Sequence, residues 1–213
     1  MNLLCSWSGG KDSCFALMQM AQKPSVLLNV LNEGGQISRS HGLSREVLRA
    51  QANAIGVPIH FFSTTWADYT EKYIKNLQNL TSNHLLTDAV FGDIDIEVHR
   101  EWEQNVCNAA KLSCHLPLWQ INRKALVLSM IEAGVKAVIV SCNDTLGKDF
   151  LGKIIDEATL AELEEAGVDV CGENGEYHTL VIDCPIFCKP LDILLGEKRN
   201  NGTGYNFIDI SIK

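Results

Sequence analysis

Six residues near the start of the chain, Ser8-Gly9-Gly10-Lys11-Asp12-Ser13, combine the groups that hold a phosphorylated ligand. They follow an apolar run, Leu3-Leu4-Cys5-Ser6-Trp7, that reads as a strand, and precede Cys14 to Met20, which reads as a helix. Paired glycines let the backbone turn with no Cβ in the way. Successive N–H groups then point at one anion, and the helix N-terminus adds partial positive charge. Ser8 and Ser13 add hydroxyls, and Lys11 a mobile cation. Asp12 repels phosphate unless a cation lies between them, so the set points to a nucleotide with Mg²⁺, with Asp12 as the metal's carboxylate. A plain strand–turn–helix joint built from small residues is the alternative.

A second concentration of chemistry is Glu173-Asn174-Gly175-Glu176-Tyr177-His178-Thr179. Carboxylates in a cleft bind ammonium, ligate Mg²⁺ or take protons. On local grounds the stretch reads equally well as a tight Asn-Gly turn before a strand.

The elements that position these residues alternate. Ser25–Leu31 and Ile59–Ser63 read as strands, as does Asp88–Ile94, which contains Gly92-Asp93. Ser44 caps a helix that carries Val47, Leu48, Ala52 and Ile55 on one face and ends at Gly56; a second helix spans Ala67–Leu80. Such alternation predicts a parallel sheet with right-handed crossovers, and ligands bind at the carboxyl ends of such strands. The opening loop, the long loop around His41 and Gly92-Asp93 all fall at those ends. Further on, helices are expected at His99–Leu112, Asn122–Ala133 and Asp149–Ala166. Strands are expected at Lys136–Cys142, Leu180–Asp183 and Ile208–Ile212, with Arg199–Gly204 as an exposed loop.

The 213 residues suffice for one large domain or two small ones, and 46% hydrophobic content is that of an ordinary globular chain. The net charge of −8, with no basic run, argues against nucleic acid as a partner. None of the eight cysteines forms a C-x-x-C pair, and most sit in apolar runs, so they read as reduced, buried thiols of a cytoplasmic protein. No apolar run is long enough for a membrane helix, and no basic region precedes an apolar stretch as in a signal peptide.

The opening stretch resembles the PP-loop, SGG-x-DS, of the ATP pyrophosphatases. With GENGEYHTLVIDCPIF, HREWEQNVC, PLW and LGK, the chain resembles the diphthine–ammonia ligase family from the opening loop to about Phe187. Asn174 and His178 stand where the family's GEGGEYET signature has glycine and glutamate.

The resemblance implies a Rossmann-like (HUP-type) α/β fold: a parallel sheet with helices on both faces, plus a smaller C-terminal α/β substrate domain. The expected division is an ATP-binding domain at 1–98 and a substrate domain at 99–213. It implies ATP and Mg²⁺ as cofactors, with Ser8, Gly9, Gly10, Lys11, Asp12, Ser13 and Asp93 holding nucleotide. Asp93 would meet ribose or Mg²⁺. Lys11, Asp12, Glu173, Glu176 and His178 would serve catalysis, and Lys153 the leaving pyrophosphate.

The implied reaction adenylates a carboxylate, releases pyrophosphate, and lets ammonia displace AMP. Its acceptor would be diphthine on elongation factor two where the host makes it, or else a small molecule. A homodimer is compatible with this. The alternatives are a PP-loop enzyme acting on a different small molecule and a non-catalytic adenine-nucleotide-binding protein.

Overall fold

A computed structural model describes residues 2–200, 202 and 204–213. Its elements run β1 (Leu3–Ser6), α1 (Lys11–Met18), β2 (Val26–Leu31), α2 (Arg45–Ile55), β3 (Ile59–Ser63), α3 (Tyr69–His84), β4 (Asp88–Val90), α4 (Glu97–Ala110) and β5 (Ser113–His115). They continue with α5 (Arg123–Glu132), β6 (Lys136–Asn143), α6 (Glu157–Glu165), β7 (Tyr177–Asp183), β8 (Ile193–Asn200) and β9 (Tyr205–Ile212).

The chain forms two compact units. The first holds Met1–Ser8, Asp12–Arg39 and Val57–Ile121; the second holds Gly9–Lys11, Ser40–Gly56 and Asn122–Lys213. The expected boundary at residue 98 is therefore displaced: α4 and β5 stand in the first unit, where β5 pairs with β4.

The first unit carries the five-stranded parallel sheet, in the order β3-β2-β1-β4-β5. One sheet face, with Leu4, Val26, Leu28, Ala89 and Phe91, packs against Tyr73, Leu77 and Leu80 of α3 and Val106, Cys107 and Ala110 of α4. The valine, leucine and phenylalanine side chains among these contribute about 1.5–3 kcal/mol each when fully buried. Tyr73 is fully buried and donates its hydroxyl hydrogen to Ser6 Oγ at 2.9 Å, so the polar tip is not orphaned. On the other face Cys5 Sγ lies 3.9 Å from Ser13 O in α1. Helices thus cover both faces, as the alternation predicts.

β4 is shorter than expected, ending at Val90. Its ladder with β1 and β5 stops there, and Gly92 then packs against the backbone of Asp12 and Ser13. β5 was not anticipated, because three residues, Ser-Cys-His, carry no period.

The second unit holds an antiparallel sheet ordered β7-β6-β9-β8. α2 is bounded as the sequence predicts. Ser44 Oγ accepts from Val47 N at 3.3 Å, and Gly56 closes the helix at φ +76°. The helix expected from Asp149 is corrected to α6 alone. Gly152 at φ +89° and an Ile154 bridge to Val138 break the first half, and Asp156 caps α6 by accepting from Thr159 N at 2.8 Å. Arg199 and Asn200, expected in a loop, belong to β8; positions 201 and 203 of that loop lie outside the described residues.

No helix among the described residues is long and apolar enough to cross a membrane.

Candidate active site

In the first unit, Ser8 and Ser13 lie with their hydroxyl oxygens 3.0 Å apart, and Asp12 occupies the first turn of α1. The strand register brings Gly92 onto this turn. A Cβ there would stand 2.7 Å from Asp12 C and Ser13 N, so glycine is what allows the approach. Two of the three expected chain segments therefore meet here.

Asp93, the next residue, accepts from or shares a proton with His99 Nδ1 at 2.7 Å. Glu103, one turn further along α4 and 2% exposed, donates to Asp93. Burial, then the neighbouring Asp93, pushes the Glu103 carboxyl up to about 11, so it is a protonated acid at neutral pH. Burial also acts to raise Asp93, but hydrogen bonds from His99 and Glu103 and the His99 charge outweigh it, leaving Asp93 below its ordinary value. Glu103 was not singled out from sequence; its only signal is a carboxylate at helical spacing between His99 and the buried Cys107.

In the second unit, the glycine pair is tied to β7. Gln51 Nε2 donates to Gly9 O at 2.9 Å and Val181 O at 2.7 Å, and Val181 N donates to Gly9 O at 2.9 Å. Gln51 is a residue that sequence reasoning missed, although a polar side chain at that spacing on the apolar stripe of α2 was its signal. Lys11 N donates to Thr179 Oγ1 at 3.0 Å. Its side chain, 3% exposed, donates from Nζ to Cys171 O at 2.5 Å, with Nζ 5.3 Å from the centre of the Tyr177 ring. His41 abuts Gly10 and hydrogen-bonds Thr179 O through Nδ1 at 2.8 Å, so Nδ1 carries the proton. The structure thus brings Lys11 and His41 together with the Tyr177-His178-Thr179 end of the second motif.

The motif itself is a built turn. Glu176 accepts from Asp169 N at 3.2 Å and, at 3.1 Å each, from Asn174 N and Asn174 Nδ2. Asp169 accepts from Cys171 N at 3.1 Å, and from Glu173 N and Arg123 Nη1 at 2.8 Å each. Gly172 at φ +73° has the Tyr177 backbone against it. Glu176 is therefore spent inside the turn, while Glu173 is half-buried. His178 stacks near His41, with ring centres 4.7 Å apart. Burial, then the charges of His41 and Lys11, lowers it to about 3, so the imidazole is neutral. Lys153, expected to meet pyrophosphate, is ion-paired with Glu162 on α6.

Among the described residues no group of three or more His, Cys, Asp or Glu side chains is arranged to hold a metal. A single carboxylate such as Asp12 still suits Mg²⁺, which is usually held by one or two carboxylates together with substrate phosphates.

A 3-2-1-4-5 parallel sheet with a glycine loop leading from β1 into α1 defines a Rossmann-like α/β protein. The chain belongs to the diphthamide synthase family: that family's N-terminal domain matches residues 1–114 and its C-terminal domain residues 122–213. A relative from Mus musculus named diphthine–ammonia ligase is 29% identical, over 86% of this chain and 79% of the relative. One of the same name from Schizosaccharomyces pombe is 28% identical over 96% of this chain but only 38% of its own length. A solved structure titled as a predicted subunit of tRNA methyltransferase from Methanocaldococcus jannaschii shares 16% identity at a TM-score of 0.42, over 86% of this chain and 97% of that one.

Proposed function

We propose that this chain is an ATP-dependent, amide-forming ligase of the diphthine–ammonia ligase type. One observation carries the reading: the Ser8–Ser13 loop, set between β1 and α1 and tied down residue by residue, in a family whose relatives bear that name. The acceptor carboxylate attacks the α-phosphate of ATP, and pyrophosphate leaves. Ser8, Gly9, Gly10 and Ser13 hold the phosphates, and Lys11 supplies fixed positive charge. Asp12 would hold Mg²⁺, which neutralises phosphate charge, and Asp93 would face the ribose or that ion. Preorganised donors and charges of this kind stabilise the departing anion. Ammonia then displaces AMP from the acyl group.

Ammonium must lose a proton before it attacks. Glu173 would bind it, Glu176 fixes the turn that carries Glu173, and the neutral His178, two residues on from Glu176, is a hydrogen-bond acceptor. The Ser8–Ser13 loop takes the nucleotide and the Glu173–Thr179 motif the acceptor and ammonia, in a cytoplasmic protein free to form homodimers. Asn174 and His178, in place of the family's glycine and glutamate, favour a second reading in which the acceptor is a small carboxylate rather than diphthine on elongation factor two.

Pyrophosphate release with candidate carboxylates and ammonium tests the reading. The wild type should form AMP and pyrophosphate, and Asp12→Ala or Ser13→Ala should abolish both. Formation of ADP and phosphate, or wild-type AMP production by either variant, overturns it. ATP binding without turnover of any carboxylate would favour a nucleotide sensor.

A further inference from the structure

Two cysteines of the first unit touch. Cys107 stands in the last turn of α4, and Lys111 closes that helix at φ +58°, with Leu112 N donating to Cys107 O at 2.9 Å. The left-handed residue turns the chain back, so that β5 runs beside the helix it has just left, with Cys114 opposite Ala89 of β4. Both side chains lie in the same core as Leu77, Leu86 and Ala110. There the Cys107 thiol donates a hydrogen bond to Cys114 Sγ. Both cysteines are free thiols.

The two sulfurs are unlike. Cys107 is fully buried, and the hydrogen bond that it gives, then burial, then Cys114 and Glu103 keep its proton in place. Cys114 is only half-buried. The bond that it receives from Cys107 favours its thiolate and outweighs both burial and the Asp93 carboxylate, so this thiol lies below its ordinary value. Cys142 shows what burial does without such a donor: its thiol is pushed up to about 12.

A reachable sulfur that ionises easily, beside a sheltered second sulfur, suits stepwise oxidation by a peroxide. We propose that Cys107 and Cys114 form a modification site at which hydrogen peroxide makes a reversible disulfide, Cys114 reacting first and Cys107 resolving it. The Cys114 sulfur attacks one peroxide oxygen. The S–O bond forms, the O–O bond breaks, the sulfur gives two electrons to the peroxide, and the departing hydroxide leaves as water with the Cys114 proton. The Cys107 sulfur then attacks the Cys114 sulfur. The S–S bond forms, the S–O bond breaks, and the second hydroxide leaves as water with the Cys107 proton. Two thiols and one hydrogen peroxide thus give one disulfide and two waters. Sulfurs already in hydrogen-bond contact have a short way to close to the about 2.05 Å of a disulfide. A transient, redox-sensing bond is the form that disulfides usually take in a reducing compartment.

The test uses the full chain carrying Cys188→Ser, which removes the exposed cysteine. The reduced protein is treated with hydrogen peroxide, unfolded, alkylated with N-ethylmaleimide, cut with trypsin and read by mass spectrometry. Trypsin cuts after Arg100, Lys111 and Arg123, so the disulfide should join residues 101–111 to residues 112–123, and dithiothreitol should separate them. Cys114 should be consumed about tenfold faster than Cys142. Cys107→Ser should strand Cys114 as a sulfenic acid that dimedone traps, and Cys107→Ala should do the same if serine disturbs the core. Cys114→Ser should leave Cys107 unreacted. The wild-type pair needs neither variant to decide: absence of the joined peptide overturns the proposal. So does loss of Cys114 no faster than that of Cys142, a Cys114–Cys114 link between two copies, or equal dimedone labelling of Cys114 with and without Cys107.

Discussion

Glu103 in the first unit and Glu176 in the second are both buried, at 2% and 8% exposure, yet the protein treats them in opposite ways. Glu176 is met by N–H groups: two backbone donors and one side-chain amide fill its two oxygens. Glu103 is met by another carboxyl group, Asp93, and its Oε2 finds no hydrogen-bond partner among the described residues. Burial without donors forces one carboxyl to keep its proton, and that proton helps hold Asp93 ionised. The partner set, and not the residue type or the depth, decides what a buried glutamate does.

The largest expected effect comes from taking the titrating proton out of the first arrangement. Folded Glu103 keeps its proton to about pH 11, whereas an unfolded glutamate releases it near 4.5. Its contribution is therefore complete below about pH 4.5 and is lost as pH rises towards 11. The opposing contribution of Asp93 changes only below its unfolded value of 3.8, so the window from pH 5 to 8 belongs to Glu103. Glu103→Gln keeps a donor to Asp93 and removes the titration. The wild type should lose stability relative to Glu103→Gln by as much as about 4 kcal/mol over that window, the ceiling for one proton linked across three pH units. Denaturant unfolding at pH 5 and 8 measures it. Parallel curves for the two proteins would mean that Glu103 ionises in the folded state.

The same substitution in the second arrangement should do the reverse. Glu176→Gln replaces an acceptor by an NH₂ group facing N–H donors, and an unsatisfied buried donor costs about 1–3 kcal/mol. A loss of roughly 2 kcal/mol is expected. If stability is unchanged and AMP formation instead falls by about 10²–10⁴-fold, as on losing a general base, Glu176 acts in the chemistry and the contrast with Glu103 fails.

The glycines sharpen the comparison at the next scale down. A Cβ on Gly92 meets backbone atoms of Asp12 and Ser13 at 2.7 Å, which cannot yield without moving α1. A Cβ on Gly10 meets the His41 ring, a side chain that can turn, with the Thr179 carbonyl oxygen at 3.2 Å. Gly92→Ala should cost about 2 kcal/mol, within the range for overpacking, and Gly10→Ala about half of that. Melting curves of the two variants would decide the order, and a reversed order would show that His41 is the more rigid neighbour.

Much of the first unit was legible because its elements obey local rules. β1 is an unbroken apolar run, and the loop between β1 and α1 carries its chemistry within six residues; in the second unit α2 is as legible, announcing both its ends with Ser44 and Gly56. The second unit's sheet was harder to read. β8 is exposed along most of its length and polar through its second half, so that half is a strand through pairing with β9 and not through its own pattern. The false first half of α6 has helical composition but is broken by a left-handed glycine and a bridge to β6. In the site, residue types were readable and partners were not. The donors around Glu176 could not be read from the sequence, and Gln51, Asp169 and Glu103 gain meaning only from residues distant in sequence or from tertiary burial.

The smallest expected effect tests the second unit's other unusual group. His178 is held neutral down to about pH 3, first by burial and then by the charges of His41 and Lys11, whereas an unfolded histidine takes a proton near 6.5. The stability that depends on its neutrality is thus present above 6.5 and is lost as pH falls from there towards 3. By the same linkage, about 1 kcal/mol should go between pH 6.5 and roughly pH 6 to 5.5. His178→Asn, uncharged at every pH and still a hydrogen-bond acceptor, should lack that loss. Thermal unfolding of wild type and variant at pH 7 and 5.5 measures the difference. If both lose the same stability on acidification, His178 is protonated in the folded protein, and its place beside His41 becomes that of a cation and not of a neutral acceptor.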